Sequence, residues 1–407
     1  MTENTILRRK NGMTLQELLI KLTILFPVST LLERYLSFAN KILLFFIVGV
    51  LFFIEIKKQK IKYKKFFMLT FFFATFLFSF ILTPIDALKL NPNMAVYYIF
   101  LIIYYPYIVE NKETLIEHLQ NNKKYILYIV TIYTVILTIT IFLPWSYMRM
   151  ESGGWGNDLY FASFSNSPNR VGPACMYILV LLLFLQKNRV HTTWLPFLVL
   201  PHLYAAIAGG SRTYFVLILC LITIYLYYWL KPKKLFWLII IPAIFILAYL
   251  VYNSSMMTKI EISLSYISSG NTSEFWRRLS NSRSILWPQR INAFKSFAKL
   301  NKFFGAGINY TTDTFGLWSH NDFIEILCSY GYFGLFNYIL VMFILFKSLL
   351  HREMSLLVRI MVLFLWLFNA FVNFFYCYFN AVLCYPILLL ILYSNKNSIL
   401  QKTKETI

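Results

Sequence analysis

The chain has 407 residues, of which 59% are hydrophobic, 19% aromatic and 14% charged, with a formal net charge of +21. A soluble domain averages about 25% charged residues, so this composition excludes an ordinary globular protein and indicates a membrane protein. Runs at 66–83, 194–208 and 235–252 hold almost no charge and approach the ~20 residues that a helix needs to cross hydrocarbon.

Backbone groups in a bilayer must be satisfied within the segment, and no barrel-like alternation is present, so the runs are expected to be helices. Arg8, Arg9 and Lys10 precede the first apolar segment, but no small-residue cleavage site follows; the start reads as an uncleaved segment. Twelve spans are expected, near 13–30, 40–56, 66–83, 94–109, 125–143, 171–186, 194–209, 214–230, 235–252, 322–346, 355–373 and 376–394. The first contains Glu17 and Lys21 and is compatible with an interfacial position as well as a crossing one.

With a cytoplasmic start, the inner segments carry 22 Lys and Arg. Three precede the first span, six lie in 57–65, three in 110–124, two in 187–193, three in 231–234, two in 347–354 and three in the tail. The short outer loops hold six, namely Arg34, Lys41, Lys89, Arg149, Arg170 and Arg212. The positive-inside rule then sets both termini in the cytoplasm of a multi-pass inner-membrane protein. Four blocks follow: N-terminal helices 1–160, helices with arginine-bearing outer turns 161–252, a large extracytoplasmic loop 253–320, and C-terminal helices with a tail 321–407.

The large loop is basic: eight Lys and Arg stand against Glu261, Glu274 and Asp313. Long loops translocate whatever their charge, so the topology stands. A solvated charged loop is one reading. The other uses Trp287, Ile291, Phe294 and Ala298, which share one helical face, with Arg283, Arg290, Lys295 and Lys299 around it. A basic amphipathic helix of that kind lies in the membrane interface beside anionic head groups.

Few residues in the outer segments can do chemistry. Cys175, Cys220, Cys328, Cys377 and Cys384 lie in or beside apolar spans without a CxxC pair, which disfavours disulfides and zinc. His118, His191 and His351 fall in inner loops, and His202 lies within the seventh span, where a helix carbonyl is its expected partner. His320 is the one histidine outside the membrane. It abuts Asn321, Asp322 and Glu325 at the start of the tenth span and is equally placed to be a general base or a helix-end residue. Arg170 follows Asn166-Ser-Pro-Asn, and Arg212 sits in Gly209-Gly-Ser-Arg-Thr. Both can snorkel, but guanidinium matches phosphate bidentately and glycine permits close approach, which favours a phosphate clamp. No nucleotide-binding fingerprint occurs, and Asp86, Asp158 and Asp313 are too scattered to predict a metal.

Gly209-Gly-Ser-Arg-Thr, Ser282-Arg283 with Trp287, Phe303-Phe-Gly-Ala-Gly307, His320-Asn-Asp-Phe-Ile-Glu325 and Gly331-Tyr-Phe-Gly334 follow in one order. Over about 160–345 this set resembles the shared module of O-antigen ligases and Wzy-type O-antigen or capsular polysaccharide polymerases. Paired R-x10-G motifs are absent, and Ser329 stands where an acidic residue is frequent. The resemblance implies an all-helical, GT-C-like glycosyltransferase of about twelve transmembrane helices that needs neither metal nor cofactor. Its partners would be an undecaprenyl-pyrophosphate-linked oligosaccharide and membrane lipid, with a flippase and a chain-length regulator nearby and no nucleic acid. Arg212 and Arg283, with Arg170 and Arg290 beside them, would bind the donor pyrophosphate. His320 would activate the acceptor hydroxyl with Glu325 assisting, and the anomeric centre would invert. Trp155, Tyr160, Phe275 and Trp276 are candidates for stacking on sugars, although interface anchoring is the commoner use. Polymerase, ligase and a transporter or flippase of similar helix count remain three separate expectations.

Overall fold

The computed structural model describes residues 13–57, 63–90, 93–150, 158–190, 194–230, 233–351 and 353–394. Helices α1 (Leu15–Leu31), α2 (Ala39–Lys57) and α3 (Tyr63–Ile81) lead to a short α4 (Ile85–Leu90). Then come α5 (Asn93–Glu110), α6 (Lys112–Asn121) and α7 (Lys123–Ile141), with an 85° bend between α5 and α6. A small antiparallel hairpin follows, β1 (Tyr147–Arg149) with β2 (Leu159–Phe161), Tyr147 facing Phe161. Next are α8 (Pro168–Lys187), α9 (Val199–Ala208), α10 (Arg212–Trp229) and α11 (Lys233–Tyr252).

The segment expected as a large loop is five helices: α12 (Ser255–Ser268), α13 (Thr272–Leu279), α14 (Arg283–Ser296), α15 (Lys299–Phe304) and α16 (Tyr310–Phe315). The chain closes with α17 (Asp322–Leu349), α18 (Leu356–Val372) and α19 (Phe379–Tyr393). Each apolar run is therefore helical. Among the described residues, α2, α7, α8, α10 and α17 are long and apolar enough to cross a membrane, and α5 with α6 makes a sixth if the bent pair is one span. The chain is an all-α membrane protein, and the hairpin is a small addition to it.

Helix α8 starts where Ser167 accepts the Asn169 N–H and Pro168 occupies the first turn, an N-terminus that costs no missing donor. Along with α19 it is apolar on all sides and almost wholly buried, which marks the centre of the bundle. Outward faces carry large apolar side chains such as Phe45, Phe53 and Phe245, an area that water would not tolerate and lipid does. Helix α1 belongs to the interior. Glu17 and Lys21 pair with each other near its start at 2.8 Å, while Leu19, Ile20, Ile24 and Phe26 are buried against the rest of the bundle.

The connecting segments gather at two ends. At one, Arg34 N donates to Phe164 O (2.9 Å), Ile308 N to Thr83 Oγ1 (2.7 Å) and Lys259 Nζ to Gly210 O (2.8 Å). At the other, Gln16 donates to Asn111 (3.3 Å), Tyr393 to Glu113 (3.0 Å) and Lys112 Nζ to Ser348 O (3.5 Å). The first set joins segments expected outside, and the second joins segments expected inside.

Two of the glycine motifs meet in a backbone joint. Gly331 breaks α17 with φ +67°, and Gly305 has φ +85°. A Cβ on Gly331 would lie 2.4 Å from the Phe303 carbonyl carbon, and one on Gly305 2.2 Å from the Ser329 oxygen. Ala306 N donates to Cys328 O at 2.9 Å across the same crossing. Only residues without Cβ let the two chains approach this closely, and only they adopt these φ values without strain. The Phe-Phe-Gly-Ala-Gly and Gly-Tyr-Phe-Gly elements thus form a packing device that fixes the start of α17.

Candidate functional site

The start of α17 carries His320. Asn321 caps the helix, accepting the Ile324 N–H at 3.1 Å, and its own amide donates to Phe371 O at 3.0 Å. Asp322 is fully buried and accepts from Tyr338 Oη (2.8 Å) and the Tyr376 N–H (3.2 Å), tying the helix to the 373–378 turn. Glu325 is also fully buried. It accepts the Thr311 hydroxyl on both oxygens at 2.6 and 2.7 Å, and the Ser319 backbone N–H at 3.0 Å. These carboxylates serve as anchors, and nothing in their surroundings leaves Glu325 open to a sugar hydroxyl.

Between the anchors, His320 takes φ +49°, a left-handed conformation that costs a non-glycine residue about 1–3 kcal/mol. The strain is held by the fixed neighbours on both sides. The imidazole lies 5.2 Å from the Phe374 ring and makes no hydrogen bond among the described residues. Burial pushes its pKa down to about 4, with Arg283 and Arg290 adding to the shift. At neutral pH the ring is uncharged, so one nitrogen can accept a proton.

The arginines divide into two groups. Arg283 begins α14, after a turn in which Asn281 and Ser282 both have positive φ and Ser282 N donates to Arg277 O at 2.6 Å. Its Nη1 donates to Ser280 O at 3.2 Å, and its buried Nε has no partner among the described residues. Burial pulls this guanidinium down to about 10, and repulsion from Arg212 adds to the fall. Lys259, inside α12, is likewise drawn down to about 7 by burial, and Arg212 again repels it. Neither Arg212 nor Arg283 meets a carboxylate among the described residues. Tyr378, at the N-cap of α19, feels both Arg283 and Arg170. Arg212, Arg283 and Lys259 thus stand in one neighbourhood, and His320 adjoins it through Arg283.

Arg170 and Arg290 differ from the expectation. Arg170 forms an ion pair with the buried carboxylate of Glu33, so its charge is already compensated. Arg290 is 1% exposed; it donates to Leu317 O (2.9 Å) and Gln289 (3.0 Å) and covers the Phe315 ring at 4.4 Å. It braces the segment leading to His320 and does not present a free guanidinium. The expected apolar face of this helix is corrected with it. Trp287, Arg290 and Phe294 form the inward face of α14, Ile291 is 37% exposed, and Ala298 lies beyond the helix end. The two heavy aromatics select that face: Trp287 packs on Phe371 at 5.3 Å and donates to Ser319 O at 2.8 Å, while Phe294 buries against Ile324 and Cys328.

The Gly209-Gly210 turn also has another use. Gly210 has φ +64°, and a Cβ there would strike the Tyr160 ring at 2.4 Å; Tyr160 fills the space that a ligand was expected to take. Lys259 lies 4.3 Å over the same ring. Of the aromatics considered for sugar stacking, Tyr160 is therefore enclosed, Trp276 is exposed on α13, and Trp155 lies outside the described residues. His202 bonds the Leu198 carbonyl at 2.8 Å as expected; His118 sits in α6, His351 packs on Tyr393, and His191 lies outside the described residues. All five cysteines are free. Among the described residues, no three His, Cys, Asp or Glu side chains gather as a metal site.

Lys259, Tyr378 and Glu33 were not legible as site residues. Lys259 was one charge among eight in a loop, Tyr378 lay inside an expected span, and Glu33 carries no motif. No protein-family model matches the chain, no curated protein matches it, and no solved structure matches it.

Proposed function

We propose that this chain is a glycosyltransferase of the cytoplasmic membrane, a polysaccharide polymerase that joins polyprenyl-diphosphate-linked repeat units at the outer face. The observation that carries the reading is a pair of guanidinium groups without carboxylate partners, Arg212 and Arg283, beside an uncharged and unbonded imidazole, His320. Cations held together against their own repulsion are preorganised for an anion, and a diphosphate matches guanidinium geometry.

In this reading the acceptor hydroxyl gives its proton to His320 as its oxygen attacks the anomeric carbon. The bond from that carbon to the diphosphate oxygen breaks on the opposite face, and the electron pair leaves with the lipid diphosphate. Arg212, Arg283 and Lys259 stabilise the added negative charge, and the anomeric configuration inverts. Burial is the larger cause of the low His320 pKa; binding of the dianion offsets the smaller part that Arg283 contributes, which strengthens the base when substrate is present. The richer cation content of the opposite end supports a cytoplasmic position for both termini.

A ligase that moves a finished glycan to another acceptor would use the same groups. Deleting the gene and resolving the glycans on a gel separates the two: a lost ladder with one unit still attached supports the polymerase, and an untransferred lipid-linked polymer supports the ligase. Purified protein in nanodiscs with lipid-linked oligosaccharide tests the class. Product formed without a membrane gradient supports a transferase, and no product under any condition contradicts it.

A further inference from the structure

Helix α15 lies across α3 and the early part of α17, on the side of the molecule that carries His320. Phe304 packs on Phe78 of α3 at 4.5 Å and on Phe333 of α17 at 5.2 Å. Phe303 packs on Phe333 at 5.4 Å and on Tyr332 at 6.2 Å. The next residue is Gly305 of the backbone joint, so α15 is tied to the crossing that fixes the start of α17.

The depth of this helix follows from α17, which is long and apolar enough to cross a membrane. From Tyr332, just past the Gly331 break, to Leu349 it rises about 26 Å at ~1.5 Å per residue. That is close to the ~30 Å of a hydrocarbon core. No charged residue occurs between Tyr332 and Lys347, so these two stand near opposite boundaries of the lipid. Tyrosine favours that boundary, and Phe336, Ile339 and Phe343 below it are exposed, as a lipid-facing surface requires.

At the level of Tyr332, α15 has the make-up of an interfacial segment. Leu300 and Phe303, three residues apart on one face, are 55% and 47% exposed and extend the lipid-facing surface of α17. Lys299 and Lys302 flank that face, and Lys295 ends the last turn of α14. Lys295 and Lys299 are exposed and Lys302 is half-buried; none of the three meets a carboxylate among the described residues. Apolar side chains bordered by unpaired lysines suit the head-group level, where lysine stems follow apolar surface and the ammonium groups reach phosphate. Water would leave Leu300 and Phe303 bare, and a soluble protein would have to enter lipid to cover them.

We propose that α15 and the end of α14 form a binding site for anionic phospholipid head groups on the membrane face that carries His320. Such a site does not depend on the glycosyltransferase reading, because it follows from depth, exposure and charge. The inward face of α14 is taken up by packing, and the lipid contact passes to its end and to α15.

The test uses the full-length protein in phosphatidylcholine nanodiscs. A small fraction of either phosphatidylglycerol or phosphatidylcholine carries a diazirine just below the head group. After irradiation, cross-linked peptides covering 295–304 are quantified by mass spectrometry. Phosphatidylglycerol should label this stretch at least about fivefold more than phosphatidylcholine, since one lysine near an anionic surface contributes roughly that factor. Sodium chloride at about 1 M, where the screening length is ~3 Å, should remove most of the preference. Lys295→Gln, Lys299→Gln and Lys302→Gln combined should bring the ratio to about one with thermal unfolding unchanged. Leu300→Ser with Phe303→Ser should lower labelling by both lipids. Equal labelling of the wild type by the two lipids, or a preference that survives both salt and the glutamine variant, overturns the site. No labelling by either lipid puts α15 in water and overturns it as well. The salt series needs no substitution, so a misfolded variant would not rescue the proposal.

Discussion

Glu325 receives the backbone N–H of Ser319 at 3.0 Å, and Ser319 is the residue immediately before His320. A carboxylate one helical turn along α17 therefore fixes the strained segment that presents the imidazole. The same carboxyl group takes the Thr311 hydroxyl from α16, so two parts of the outer segment are held by one buried side chain.

Removing it should affect folding before chemistry. Glu325→Ala leaves the Thr311 and Ser319 donors buried and unmet, at about 1–3 kcal/mol for each unsatisfied group. Thermal unfolding in nanodiscs should show a clear loss of stability. Glu325→Gln keeps the shape and part of the bonding, so it should fold better and reduce the turnover number more than it alters KM. Full stability in the alanine variant would contradict the anchoring role.

The low pKa of His320 has a measurable sign. Its folded value of about 4 lies below the ordinary 6.5, so the unfolded chain binds this proton more readily. Stability from this group is complete above pH 6.5 and declines as the pH falls toward 4. The acid limb of kcat/KM, which reports free enzyme, should fall only as the pH drops toward 4. Arg283→Gln removes a repelling cation and should move the His320 titration upward, as read by NMR of labelled histidine. A downward shift would show that the two groups do not interact as described.

The two arginine groups should separate experimentally. Arg212→Ala and Arg283→Ala should weaken inorganic pyrophosphate binding roughly tenfold or more each, since a hydrogen bond to a charged group is worth about 1.5–3 kcal/mol. Arg290→Ala should instead lower protein abundance, because its contacts are the Leu317 carbonyl, Gln289 and the Phe315 ring. Equal effects of all three on pyrophosphate would erase the distinction.

The glycine joint gives a purely structural expectation. Gly305→Ala and Gly331→Ala each place a methyl within 2.4 Å of backbone atoms and force a left-handed φ on alanine. Both should reduce folded protein strongly, while Gly316→Ala, which meets nothing within 4 Å and carries only the φ penalty, should be much milder. Gel-filtration yield of the three variants decides it.

The long apolar runs were legible because lipid and backbone chemistry leave a helix as the only solution. The outer segment was less legible. Its helices pack through Trp287, Arg290 and Phe294, a face that periodicity alone ranked below one containing Ile291 and Ala298. The arginine at 290 looked like a surface charge because nothing local announces the carbonyl of Leu317 that receives it. Arg170 looked free because Glu33 lies far away in the chain. His320 was legible as a candidate from its place at a helix start and Arg212 from its glycine turn, while Arg283 entered only through the resemblance; the fold puts Arg283 near both. Their companions Lys259 and Tyr378 join only through tertiary contacts.

The most direct measurement compares wild type with His320→Gln in nanodiscs, following donor binding and glycan transfer on one preparation. Binding of the lipid-diphosphate donor should be retained, because the cations are untouched, while transfer should fall by roughly 10²–10⁴-fold, the usual contribution of a general base. Transfer at the wild-type rate in that variant would contradict the account.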